Sequence, residues 1–322
     1  MAERDHLSWP FFEERHRRLA ARLEAWCAAR LPVDHTDTDA ACTGLVRALG
    51  EAGFLELTGP PLDLRSLCLT REILARHDAL ADFAFAMQGL GMGAVSLFGN
   101  DQQRQWLRRT RAGTAVAAFA LTEPAAGSDV AAIAAKAERA GDGYLVNGEK
   151  TWISNGGIAD IYTLFLRTGE GPGTKGLSAF LLPADTPGLE VAERLDTIAP
   201  HPLARLRFAD MRLPASAMIG APGQGFRIAM SVLDMFRSTV GAAALGMARR
   251  ALRETLSRVR RRQVGGVALA QLQMVQGHVA EMALKLDASA LLIYRAAWAK
   301  DMGAERISRE AAMAKLYATD SA

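Results

Sequence analysis

Apolar residues recur at three- and four-residue intervals through the first third of the chain, and that spacing predicts helices. Phe12, Leu19, Leu23 and Trp26 mark the first. Gly44 to Gly53 reads as a second, stopped by the glycine of Glu51-Ala52-Gly53-Phe54. Leu67–Ala79, Ala81–Leu97 and Gln102–Arg109 read as three more, the arginines of the last forming a solvated face. From Phe119 the texture changes to short runs between Gly/Pro turns: Tyr144–Val146, Thr151–Ser154, Ile161–Leu166, Ser178–Leu182 and Arg205–Phe208. Helical spacing returns after Gly225, breaks at Gly265-Gly266, runs again from about Leu269 to Trp298, and restarts near Ser308, a candidate N-cap. The expected fold class is α+β, with an N-terminal helical domain over 1–118, a middle β-barrel-like domain over 119–224 and a C-terminal helical bundle over 225–322. Helix-forming residues still run at Ala322 with no stop signal, so the bundle is expected to be incomplete at the chain end.

Composition narrows the class. Half of the 322 residues are hydrophobic and 23% are charged, as in a soluble globular protein with a sizeable core. A net charge of +3 is too small to imply a nucleic-acid partner. No apolar run reads as long enough to span a bilayer. The N-terminus is Arg-rich and amphipathic, as transit peptides are, but Glu3, Asp5, Glu13 and Glu14 interrupt it, which favours a first surface helix. Cys27, Cys42 and Cys68 are odd in number and lack metal-ligand spacing. They suit thiols in a reducing cytoplasm, so the chain is expected to be cytoplasmic and to hold no metal.

Candidate chemistry gathers in two stretches, Ala120–Asp129 and Asn147–Asn155. The first is a loop by residue type: Pro124 fixes a dihedral and Gly127 frees one. Such a loop can turn N–H groups and the hydroxyls of Thr122 and Ser128 toward an anionic or carbonyl-rich ligand. In the second, Asn147-Gly148 stands between two short strand-like runs, and Asn-Gly predicts a hairpin turn there. Taken singly, such a loop is most often only a loop, and a strand tryptophan such as Trp152 is most often core. Gly89, Gly91 and Gly93 form a Gly-x-Gly-x-Gly run, but no strand precedes it, so it reads as close helix packing rather than a dinucleotide fingerprint.

Together the two stretches closely resemble the signature regions of acyl-CoA dehydrogenases, flavoenzymes that form the α,β double bond of acyl thioesters. The resemblance runs from about Gly44 to the C-terminus and is densest from Phe119 to Met282. It implies an N-terminal helical domain, a middle β domain and a C-terminal four-helix bundle, with FAD as cofactor. It implies that Phe119–Ser128, including Gly127, is the flavin-binding loop. Backbone groups around Leu121 and the hydroxyl of Thr122 would meet the polar edge of the isoalloxazine. Ser128 would lie near the cofactor pyrophosphate and the CoA part of the substrate. Trp152, Ile153 and Ser154 match the family's Trp-Ile-Thr, with the hydroxyl close to flavin N5. Asp234–Arg237 matches an Asp-x-x-Arg at the acyl-CoA mouth, where Arg237 either holds the ligand or pairs with Asp234. Arg262 matches an arginine that reaches a neighbouring subunit's cofactor, and Gln273 matches a glutamine on the next helix. The implied partners are an acyl-thioester substrate, an electron-transferring flavoprotein and further copies of the chain, as a homodimer or homotetramer.

The chain also departs from the family pattern in several places. Gly265-Gly266 stands where Phe-Gly is usual, and Arg258 where Tyr is usual. Thr197–Ala204 carries His201 and two prolines in place of a Gly-Arg-Ser type loop. The family's Gly-Gly-x-Gly cofactor loop and its usual catalytic glutamate match positions beyond Ala322, and the minority position for the base is Phe236 here. Of the carboxylates weighed as substitutes, Asp234, Glu254, Glu281 and Glu123, none matches a catalytic position. No catalytic residue is therefore expected within 1–322, and a polypeptide of that extent is expected not to desaturate thioesters. Two readings stand: an FAD-dependent acyl-thioester dehydrogenase, acting on CoA or carrier-protein thioesters, or a non-catalytic flavin- or thioester-binding relative.

Overall fold

A computed structural model of the protein describes residues 5–322, so Glu3 lies outside the described residues. The first helical region holds α1 (Glu14–Arg30), α2 (Thr38–Glu51), α3 (Leu64–His77), α4 (Ala79–Phe98) and α5 (Arg104–Arg111). Helix α2 starts earlier than its apolar spacing indicates, because the Asp37 carboxylate accepts the N–H of Ala40 at 2.9 Å. It stops where expected. Gly53 sits at φ +73°, its N–H bonds the carbonyl of Gly50 (2.8 Å), and Phe54 N–H reaches back to Leu49 (3.0 Å). That pair of bonds closes the free carbonyls of the last turn and requires a left-handed residue.

The β region contains β1 (Ala117–Ala120), β2 (Lys136–Ala140), β3 (Gly143–Ser154), β4 (Ile161–Arg167), β5 (Leu177–Pro183), β6 (Leu189–Arg194), β7 (Leu203–Pro214) and β8 (Met218–Ile219). They form one eight-stranded sheet in the order β6-β7-β3-β2-β4-β5-β8, and β1 pairs in parallel with the first half of β4. The expected Asn147-Gly148 hairpin is not there. Strand β3 runs straight through both residues, and the chain reverses at Gly141-Asp142, between Ala140 and its partner Gly143, with Gly141 at φ +64°. The side chain of Asn147 is occupied instead by Asp210, whose N–H it accepts at 2.9 Å in a bulge of β7. Gly148 is glycine for proximity, since a Cβ there would stand 2.6 Å from that of Ala135. Gly91 of the Gly-x-Gly-x-Gly run has the packing role expected of it. A Cβ would meet Ala117 at 2.8 Å, and the Gly91 carbonyl accepts the Thr163 hydroxyl at 2.6 Å.

Beyond the sheet come α6 (Gly225–Arg261), the short strands β9 (Gln263–Val264) and β10 (Val267–Ala268), α7 (Gln273–Asp301) and α8 (Ser308–Ser321). Gly265 and Gly266 lie at φ +61° and +82° and make the two-residue turn between β9 and β10. Ser308 does not cap α8. The cap position is Ile307, and the Ser308 hydroxyl is spent on Asp234, at 2.8 Å.

By packing, the protein divides into two compact units: Asp34–Leu62 with Phe83–Leu233, which contains the sheet, and the remainder, which contains α1, α3, α7 and α8. In the helical unit α3 packs on α1 and α7, and α7 packs on α8. The carboxylate of Asp301, closing α7, accepts the first two N–H groups of α3 at 2.7 and 3.1 Å and the Arg65 Nε at 2.7 Å. Glu72 is buried and accepts the Arg249 Nε at 2.6 Å and the Tyr294 hydroxyl. Two helices, α4 and α6, are long and apolar enough by length and composition to cross a membrane, contrary to the expectation that no run would be. Buried positions make up 78% and 56% of their apolar stretches, which marks both as core helices.

Candidate functional site

Strand β1 ends at Ala120, and the chain turns at once. Glu123 and Ala126 exchange backbone hydrogen bonds of 3.0 and 3.1 Å across Pro124-Ala125. The Glu123 carboxylate is buried. It accepts the N–H groups of Ala134 (2.7 Å) and Ala135 (3.1 Å) and the ammonium of Lys150 (2.7 Å). Lys150 has no exposed surface and donates a second bond, 3.0 Å, to the carbonyl of Leu121. Burial pushes the Lys150 ammonium down to about 8, against the opposing pull of Glu123. At the next residue, Thr151 N–H donates to the Thr122 carbonyl at 2.9 Å. The loop is thus fastened to β3 at consecutive positions.

Strand β3 then bulges. Between Lys150 and Ile153 it spends one residue more than β7, and Trp152 takes φ +57°. The bulge turns Ile153 into the core, 1% exposed, and leaves the indole of Trp152 57% exposed. A non-glycine residue in this conformation costs about 1–3 kcal/mol and persists where its surroundings fix it. Asn155, buried at φ +62°, supplies the fixing on the far side: its amide donates to Ala117 (2.9 Å) and its N–H to Pro202 (2.8 Å). The hydroxyls of Thr122, Ser128 and Ser154 have no hydrogen-bond partner among the described residues. Gly127 faces open space, a Cβ there meeting only the Thr122 methyl at 4.0 Å. An exposed indole on a rigid bulge and free hydroxyls beside an open glycine fit a flat heteroaromatic with a carbonyl-bearing edge, as FAD has. Of the other residues expected here, Phe119, Leu121 and Ile153 bury their side chains, Phe119 against Phe165 with ring centroids 5.0 Å apart. With their side chains buried, only their backbone groups are open to a ligand.

The helical unit carries the remaining candidates. Arg237 lies 3.8 Å from Asp234 on α6, a long pair with both side chains half-exposed. Arg262 follows α6 and Gln273 opens α7, and both are exposed. The Arg262 guanidinium has no ion-pair partner among the described residues. Exposed apolar residues surround this stretch and continue along α7: Val264, Val267, Leu272, Met274 and Leu284. Three of the carboxylates weighed as a base are engaged: Glu123 as above, Asp234 by Ser308 and Glu254 by Arg250 at 2.7 Å. Glu281 is exposed on α7.

Sequence reasoning missed Lys150 and the structural role of Glu123. The available signal was charge isolation, since Glu123 is the single charged residue from Ala115 to Gly127.

Family profiles for the acyl-CoA dehydrogenase N-terminal, middle and C-terminal domains match residues 13–114, 118–211 and 223–322. The mitochondrial short-chain specific acyl-CoA dehydrogenase of Rattus norvegicus is 37% identical over 290 residues, covering 87% of this chain and 70% of the rat protein. The butyryl-CoA dehydrogenase structure from Megasphaera elsdenii superposes with a TM-score of 0.87 at 31% identity, over 97% of this chain and 85% of that one. A glutaryl-CoA dehydrogenase from Mycobacterium smegmatis in complex with FADH2 superposes with a TM-score of 0.87 at 28% identity, over 97% and 82%.

Proposed function

The chain belongs to the acyl-CoA dehydrogenase family, and from that premise we propose that it is an FAD-dependent oxidoreductase acting on the α,β bond of an acyl thioester. Its fold is the family's three-domain arrangement of N-terminal helices, middle sheet and C-terminal helices. The observation that carries the reading is the loop fastened to β3, which presents the exposed Trp152 beside hydroxyls that have no partner among the described residues. FAD, when bound, supplies acceptance of a hydride from the β carbon. Thr122 and Ser154 would hold the flavin with their hydroxyls, and Trp152 would offer it an apolar face. Ser128 would hold the phosphate-bearing end of the cofactor and of the thioester. Asp234 and Arg237 serve the thioester mouth; their pair is long enough for Arg237 to turn to an anionic ligand.

The base that removes the α proton is not among residues 1–322 in this reading. Glu123 is held as an acceptor by a cation and two amides, Asp234 and Glu254 are paired, and Glu281 is an open surface residue. Arg262 and Gln273 act in trans toward a neighbouring copy, so the protein works as a homodimer or homotetramer. The exposed apolar residues of α7 support this. An electron-transferring flavoprotein is the proposed electron acceptor, CoA or a carrier protein the proposed acyl carrier, and the cytoplasm the proposed location. The test is a chain-length series of acyl-CoA thioesters added to the FAD-loaded 322-residue protein, with an artificial electron acceptor present. The visible flavin bands should shift on thioester binding without sustained turnover. Unshifted bands with every thioester contradict the substrate class, and sustained turnover contradicts the assignment of the base.

A further inference from the structure

Lys150 and Glu123 are buried charges in the sheet unit, and the cofactor reading gives neither a ligand to touch. Their bonds join three stretches that are separate in sequence: the Leu121 carbonyl, the Ala134 and Ala135 amides, and β3 at position 150. Position 150 is one residue from the Thr151–Thr122 bond and two from Trp152. Glu123 is the charged group that faces the amine; the residue opposite in β7 is Leu206, and the remaining partner is a carbonyl.

A buried ion pair is a poor source of stability. Taking two charges out of water costs about as much as their attraction returns, and apolar replacements are often neutral or stabilising. Here burial outweighs the carboxylate and holds the Lys150 ammonium near 8, so the folded protein disfavours the charge it encloses. What the pair does supply is direction, because an ammonium between a carboxylate and a carbonyl fixes both.

We propose that Lys150 and Glu123 are positioning residues: their pair sets where the Leu121–Thr122 edge of the loop stands relative to Trp152, and it adds little to the stability of the fold. The inference rests on the flavin reading of this loop. The test is the double variant Glu123→Gln/Lys150→Met, compared with wild type in three measurements. Thermal unfolding of the FAD-free protein should be unchanged or shifted upward. Amide exchange in peptides covering residues 121–135 should speed up by about tenfold or more, and FAD should bind about tenfold more weakly or worse. The single variant Glu123→Gln, which leaves the cation unpaired, should unfold at a lower temperature than the double variant. Wild-type exchange and FAD affinity in the double variant would overturn the proposal, and so would a double variant that unfolds earlier than wild type or fails to fold. A wild-type protein that binds no FAD would instead sink the flavin reading, while exchange and melting still decide whether the pair sets the loop.

Discussion

The enclosed ammonium of Lys150 makes the stability of this protein depend on alkaline pH in a direction opposite to common expectation. The ordinary lysine value is 10.5, and burial brings Lys150 to about 8 in the folded state. Between those values the unfolded chain holds a proton that the folded protein has released. Stability therefore rises with pH across that window, because unfolding must take up a proton. Each pH unit of the window is worth about 1.4 kcal/mol, so moving from about pH 7 to about pH 10 should add about 2–3 kcal/mol from this group alone. The double variant Glu123→Gln/Lys150→Met removes both members of the pair, so no unpaired carboxylate is left to titrate in place of the amine. Urea unfolding of both proteins at the two pH values isolates the effect as a difference of differences. The wild type should gain on the variant by about 2–3 kcal/mol as pH rises. Parallel pH dependence would show that Lys150 keeps an ordinary affinity for its proton, and the argument from burial would fail.

Ser154→Ala removes a hydroxyl with no partner among the described residues and so should leave unfolding unchanged while weakening FAD by about 1 kcal/mol, roughly fivefold; equal affinity by fluorescence titration removes Ser154 from the site. Gly246→Ala should destabilise the helical unit by about 1–3 kcal/mol or more, because its Cβ would stand 2.1 Å from the carbonyl oxygen of Glu72; an unchanged melting temperature would mean that α3 and α6 separate freely. Light scattering should give a dimer or tetramer, and Arg262→Gln should weaken FAD without changing that mass; a monomer with full FAD affinity contradicts the role in trans.

The features legible in the sequence are those set by local chemistry. The stop of α2 at Gly53 follows from one left-handed glycine, and the Gly265-Gly266 turn from two. Gly91 was readable as a packing position because no strand precedes it. Where a residue's partner is distant in sequence, local rules misled. Asn147-Gly148 has hairpin chemistry, but Asp210 claims the asparagine and Ala135 claims the space beside the glycine, so β3 continues. Ser308 has cap chemistry but serves Asp234. Strand β1 was invisible for another reason: Ala117–Ala120 is buried on both faces and shows no alternation. The site divides in the same way. Thr122, Ser128, Trp152 and Ser154 could be named from their loop and strand, whereas the Lys150–Glu123 clamp exists only once the chain has folded two residues 27 positions apart onto each other.

The central claim is that this loop and strand hold a flavin. The direct measurement is titration of the purified, nucleotide-free protein with FAD and, separately, with NAD, followed by flavin fluorescence and visible absorbance. Saturable quenching with FAD, resolved and shifted flavin bands, and no competition from NAD are the expected result. FAD that neither saturates nor shifts, or that NAD displaces, would contradict the account.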